Sequence, residues 1–148
     1  MIRIYTDAST EGNTGVAVSI IKERKKLIKV LMKSYPIIGP SAAELYGILQ
    51  SVAYLAKIKC KEEVELFTDL ETAVRVFTKL SEVDKPNYKE VAYPQVWRQI
   101  MRHCKKLNIE FKHINSHQSE FNENVACDRM SVYVRKHLDT LKNMGVIE

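Results

Sequence analysis

The stretch Ile2-Arg3-Ile4-Tyr5-Thr6-Asp7-Ala8-Ser9 decides how the rest of the chain is read. Residues 2–6 alternate apolar and polar character, the period of a strand with one covered face, and the strand is expected to run out at Asp7. Strand ends are where α/β folds place reactive side chains. Taken alone, however, an Asp in this position is more often a plain turn former.

Reading outward, residues 15–21 and 27–35 are expected to form two more strands, joined by the charged turn Lys22-Glu23-Arg24-Lys25-Lys26, which makes a β-meander. Residues 41–58 carry Leu45, Ile48, Leu49, Val52 and Leu55 at helical spacing, with Pro40 just ahead of them. A short strand at 64–68 and a short helix at 70–80 follow. Residues 81–93 contain Pro86 and many polar side chains and read as a loop with one helical turn. A helix from Pro94 to about Lys106, a fifth strand at 109–115, a polar loop at 116–122 and a last helix from Glu123 to about Leu138 complete the order. Hairpins first and crossover units later imply an α/β fold: a five-stranded mixed sheet, its first three strands antiparallel, flanked by helices. No repeat or linker interrupts it, so residues 1–148 are expected to form a single domain.

Composition agrees with that reading. A chain of 148 residues, 45% hydrophobic and 28% charged, can bury one core and is neither disordered nor collagen-like. No stretch approaches the roughly 20 apolar residues of a membrane span, so no membrane partner is expected. The start of the chain lacks the basic segment and apolar run of a signal peptide, which suggests a cytoplasmic protein. Cys60, Cys104 and Cys127 have no C-x-x-C spacing and read as structural thiols rather than disulfides or zinc ligands. A formal charge of +5 suits a polyanionic partner, though many basic proteins bind no nucleic acid.

Four carboxylates carry the chemical expectation, each with a bland alternative. Asp69 closes the strand Leu66-Phe67-Thr68 and has the sequence of a helix N-cap. Glu44 lies in Ser41-Ala42-Ala43-Glu44, the spacing of a capping box. Yet Ile48, Val52 and Leu55 follow it at i+4, i+8 and i+11, which turns Glu44 toward the buried face. Asp128, between Val125 and Val132, is expected to lean inward from the last helix in the same way. Its alternative is a surface Asp paired with Arg129 or Arg135. Two ionised carboxylates about 4 Å apart repel by roughly 4 kcal/mol at an effective dielectric near 20. A cluster of four therefore needs cations or raised pKa values, and oxygen-only ligands favour Mg²⁺ or Mn²⁺.

These residues resemble the type 1 ribonuclease H family. Ile4-Tyr5-Thr6-Asp7-Ala8-Ser9 is similar to its first-strand motif, Ala43-Glu44-Leu45 to the start of its first helix, and Phe67-Thr68-Asp69 to its fourth strand. Asn115-Ser116-His117-Gln118 resembles its catalytic loop and Asn124-Val125-Ala126-Cys127-Asp128 its closing helix. The resemblance implies a ribonuclease H-like fold and hydrolysis of the RNA strand of RNA–DNA hybrids with two Mg²⁺ or Mn²⁺ ions per site. It implies metal ligation by Asp7, Glu44, Asp69 and Asp128, proton transfer or product release assisted by His117, and substrate contacts at Ser9, Asn13, Ser41 and Asn124. It also implies a monomer acting on nucleic acid.

Three positions depart from the family pattern. Pro40 and Ser41 stand where hybrid-cleaving members keep a tandem Asn, and Leu70 where they keep a small polar residue. Hydrogen-bonding groups that distinguish RNA from DNA are thereby lost. The segment before Pro94 is short and carries little charge beyond Lys79, Lys85 and Lys89. Trp97 is expected to pack in the core, which leaves Arg98, Arg102, Lys105 and Lys106 either to contact nucleic acid or to form a solvated helix face. A second reading thus stands beside the enzyme: a module that binds nucleic acid or a protein partner and cleaves weakly or not at all.

Overall fold

In the computed structural model, which describes residues 1–36, 39–115 and 122–147, the opening stretch is the middle strand of the sheet. It forms β1 (Ile2–Glu11) and is followed by β2 (Thr14–Glu23), β3 (Lys26–Pro36), α1 (Pro40–Lys57) and β4 (Glu63–Thr68). Next come α2 (Glu71–Ser81), a 3-10 turn (Tyr88–Glu90), α3 (Pro94–Cys104), β5 (Asn108–His113), α4 (Glu123–Lys136) and α5 (Leu138–Asn143). The sheet order is β3-β2-β1-β4-β5, with β1 antiparallel to β2, β2 antiparallel to β3, and the β1–β4 and β4–β5 pairs parallel. This is the expected mixed sheet, and the 3-10 turn is the helical turn expected between residues 81 and 93.

Most boundaries lie within a residue or two of the sequence reading, and two differences change how the chain packs. The first strand does not end at Asp7 but continues to Glu11, because antiparallel β2 stays alongside it, with Asp7 opposite Val18 and Glu11 opposite Thr14. Parallel β4 leaves earlier, its last partners being Tyr5 and Phe67. Asp7 is therefore a strand end on one edge and mid-strand on the other. The last helix also breaks at His137 and resumes as α5, after which Ile147 packs under the sheet beside Val16, Val18 and Ile20.

Period-2 alternation in β1 and β2 divides the core. Ile2, Ile4 and Ile21 face α1, α2 and α3, where Ile48, Val52, Leu55 and Ile100 are fully buried and Trp97 packs as expected at 2% exposure. Val16, Val18 and Ile20 face α4 with Cys127 and Val134. A small polar layer lies within the first face. Thr6, Ser19 and Ser51 are fully buried there, with Ser51 Oγ 2.7 Å from Ser19 Oγ and 2.8 Å from the Gly47 carbonyl oxygen. Cys60, Cys104 and Cys127 are all free thiols. No helix among the described residues is long and apolar enough to cross a membrane.

Candidate metal centre

Where β4 stops, the edge of β1 opens, and side chains take over from the strand. The Ala8 N–H points into this opening and donates to Asp7 Oδ1 at 2.9 Å and to Glu44 Oε1 at 3.0 Å. Asp69, the first residue past β4, brings the third carboxylate. One ligand oxygen from each of Asp7, Glu44 and Asp69 lies within 4.8 Å of the other two.

The bland alternatives for Glu44 and Asp69 fail for local reasons. The capping box is not formed, because Gly39 (φ 96°) is the N-cap of α1, Pro40 opens the helix, and no side chain caps it. Glu44 instead shares the covered face of α1 with Ile48, Val52 and Leu55, as its spacing foretold. Asp69 is not the cap of α2 either: Leu70 holds that place without a side-chain bond, and its N–H donates to Thr68 Oγ1 at 3.1 Å.

Burial strains this group electrostatically. Asp7 is 6% exposed and Glu44 9%, and Glu44 Oε2 is buried with no donor among the described residues. Loss of solvation is the first cause that pushes Asp7 up to about 6; the charges of Asp69 and Asp128 add to it, while contact with Glu44 and the Ala8 N–H oppose it. Glu44 is raised well above the carboxylate range, first by burial, then by its contact with Asp7 and the charges of Asp7 and Asp69. No lysine or arginine is among the main influences on either acid. Three converging carboxylates with an orphaned buried oxygen fit a hard divalent cation.

Asp128 corrects the sequence reading. It does not lean into the core: the buried residues of α4 are Asn124, Cys127, Ser131 and Val134, whereas Asp128 is exposed. Val125 and Val132, which suggested a buried stripe, are only half-buried and mark the edge of the covered face. Asp128 still acts on Asp7 through its charge, so it flanks the three clustered acids rather than joining them.

The remaining candidates disperse. Ser9 accepts a 2.6 Å hydrogen bond from Arg135 Nε, and Arg135 also pairs with Glu11. Asn13 is exposed in the β1–β2 turn. Ser41 is exposed at the rim of an apolar cavity of about 220 Å³ that it lines with Leu45, Leu70, Tyr93 and Trp97. Asn124 is 2% exposed with its Oδ1 unpaired among the described residues, while Asn122 caps α4 by accepting from Val125 N–H at 3.0 Å. His117 lies outside the described residues. One participant leaves no trace in the sequence, and Arg135, read there as a possible partner of Asp128, pairs instead with Ser9 and Glu11. The Ala8 N–H has no side-chain signature at all, whereas Arg135 follows Asp128 by two helical turns, a spacing that puts both on one flank of α4.

The model of the RNase H family matches residues 1–135. No protein of curated function matches the chain. Among solved structures, it resembles LC11-RNase H1 in complex with an RNA/DNA hybrid (TM-score 0.66, 20% identity, 87% of this chain and 92% of that one). LC11-RNase H1 was isolated from compost by a metagenomic approach. It also resembles the N-terminal RNase H domain of a Mycobacterium tuberculosis protein (TM-score 0.70, 13% identity, 97% of each chain). A third likeness is to RNase H1 of the halophilic archaeon Halobacterium salinarum (TM-score 0.63, 13% identity, 88% and 96% coverage). A match over this length, on a sheet of this order with acids gathered where β4 ends, shows that the chain belongs to the RNase H family.

Proposed function

We propose that this protein is a metal-dependent endoribonuclease that hydrolyses the RNA strand of RNA–DNA hybrids, with residues 1–148 acting as one domain. The observation that carries this reading is the convergence of Asp7, Glu44 and Asp69 around a buried Glu44 oxygen that receives no donor. In this proposal Asp7, Glu44, Asp69 and Asp128 hold Mg²⁺ or Mn²⁺ ions. When bound, two such ions supply Lewis acidity to the attacking water and to the leaving 3′ oxygen.

The chain's own groups set the rest. The Ala8 N–H orients Asp7 and Glu44 together, so that both present oxygens to one point. Asp128, exposed on α4, is the carboxylate free to meet an ion that arrives with substrate. His117 is assigned to proton transfer or product release, and Ser9, Asn13, Ser41 and Asn124 to substrate contact. The exposed cations Arg98, Arg102, Lys105 and Lys106 on and after α3 supply phosphate attraction.

A second reading, nucleic-acid binding with weak hybrid cleavage, is favoured by one observation. The surface beside Glu44 and Asp69 is the apolar cavity of Ser41, Leu45, Leu70, Tyr93 and Trp97, which offers a ribose hydroxyl few partners. Labelled RNA–DNA hybrid, double-stranded RNA and single-stranded DNA, each with Mg²⁺, Mn²⁺ or chelator, separate the two. The endonuclease reading expects hybrid cleavage that needs a metal and is lost in Asp69→Asn. Cleavage that survives chelator or that substitution would refute it, and hybrid binding without cleavage would establish the second reading.

A further inference from the structure

We infer that Gly47 is the positioning residue of this site: its missing side chain sets how closely α1 rides on β1, and so brings Glu44 within reach of the Ala8 N–H. The inference rests on the reading of Glu44 as a metal ligand. Glu44, Gly47 and Ser51 follow one another at i, i+3 and i+7 on the buried face of α1. A Cβ built at residue 47 would stand 2.5 Å from Thr6 Oγ1 and 3.4 Å from the Ala17 Cβ. The first distance is far inside contact, so with Thr6 in place a side chain here would force either the threonine hydroxyl or the helix to shift.

Thr6 has little freedom to yield. It is fully buried, and its Oγ1 lies 3.3 Å from Ser19 Oγ. Ser19 is itself held by Ser51 Oγ at 2.7 Å and by Gln50 Nε2 at 3.0 Å, while Gln50 accepts from Tyr35 O–H at 3.0 Å. The hydroxyl layer thus fixes the strand side of the contact, and its groups also take up the Gly47 carbonyl oxygen, 2.8 Å from Ser51 Oγ. Thr6 and Ala8 are alternate residues of β1, and Glu44 is less than one turn from Gly47. A displacement at residue 47 is therefore transmitted to Glu44 with little loss, because a hydrogen-bonded helical turn moves as a body. Glycine inside a helix is disfavoured relative to alanine, which makes this glycine informative.

The test uses the full chain with Gly47→Ala and the double variant Thr6→Ala/Gly47→Ala, in which the new methyl group takes the space left by the threonine oxygen. Mn²⁺ affinity is measured by calorimetry without nucleic acid, hybrid cleavage in Mg²⁺ by steady-state kinetics, and folding by thermal melting. Gly47→Ala is expected to weaken Mn²⁺ binding by about tenfold and to lower kcat by about 10- to 100-fold, with KM changed by less than about twofold. The double variant is expected to recover to within about threefold of Thr6→Ala alone. Wild-type Mn²⁺ affinity in Gly47→Ala, or a double variant no better than Gly47→Ala, would overturn the inference. If Gly47→Ala does not fold, the comparison of the double variant with Thr6→Ala decides. A wild-type protein that binds Mn²⁺ yet cleaves no hybrid defeats the endonuclease reading alone, because the Mn²⁺ titration still reads the position of Glu44.

Discussion

Two rungs of the same strand pair treat their acids in opposite ways. On one face of β1 and β4, Arg3 stands opposite Glu65 and Tyr5 opposite Phe67, and the same offset continued by two residues sets Asp7 beside Asp69. The first rung is an ion pair, Arg3 Nε to Glu65 Oε1 at 3.2 Å, reinforced by Lys112 from β5. Its carboxylate is held below its ordinary range, chiefly by Lys112. The second rung is two stacked rings with centroids 5.1 Å apart. The third brings together like charges, and there the parallel pairing has ended. Like charges opposite one another destabilise a sheet, so the ladder stops where its side chains stop agreeing. An acid that serves the fold is given cations by the chain, whereas no lysine or arginine is among the main influences on Asp7 or Glu44.

The contrast breaks first at catalysis. Asp7→Asn should lower single-turnover hybrid cleavage by at least about 10³-fold, since a metal ligand supplies several kcal/mol of transition-state stabilisation. Glu65→Gln should leave cleavage unchanged. The next effect has the opposite sign: in chelator, Asp7→Asn should stabilise the fold by about 1–3 kcal/mol in urea titrations, because it removes a charge that burial penalises. A loss of stability would mean that the carboxylate is not stressed there.

The pH dependence sharpens the same distinction. Asp7 keeps its proton in the fold up to about 6, against 3.8 ordinarily. The unfolded chain therefore ionises first, and metal-free stability should fall as pH rises between those values. Asp7→Asn should flatten that slope in thermal melts taken across this range, and so should saturating Mg²⁺. Glu65, whose pKa is lowered, works in reverse: its contribution is present above the unfolded carboxyl range and is lost as pH falls through the folded value. The smallest effect belongs to Glu65→Gln, a loss of at most about 1 kcal/mol, because both partner cations, Lys112 and Arg3, are well exposed to solvent.

Much of this is legible in the sequence. Period-2 alternation gave the strands, and the i+4, i+8 and i+11 spacing behind Glu44 correctly turned that acid inward against a capping-box pattern. The same reasoning misled at Asp128, because a valine on each side does not distinguish the centre of a helix face from its edge. Here Asn124, Cys127 and Ser131, none of them an aliphatic signal, hold the centre. The end of β1 was misplaced since alternation reports burial, not which neighbouring strand continues. Gly47 shows a different limit: close approach between helix and strand is a relation between distant residues, and one helix read alone shows only an odd glycine.

The length of β4 acts as a ruler. Its last pairing with β1 falls at Tyr5, which leaves the Ala8 N–H to two carboxylates rather than to another backbone. Any residue but proline keeps that donor at position 8, although Ala8 packs beside Ala42 and Ala43 of α1. One residue added between Glu65 and Asp69, with the Arg3–Glu65 rung kept, would move Asp69 to the opposite face of the sheet. The site is thus guarded by the count of residues between its strands as well as by the identity of its neighbours.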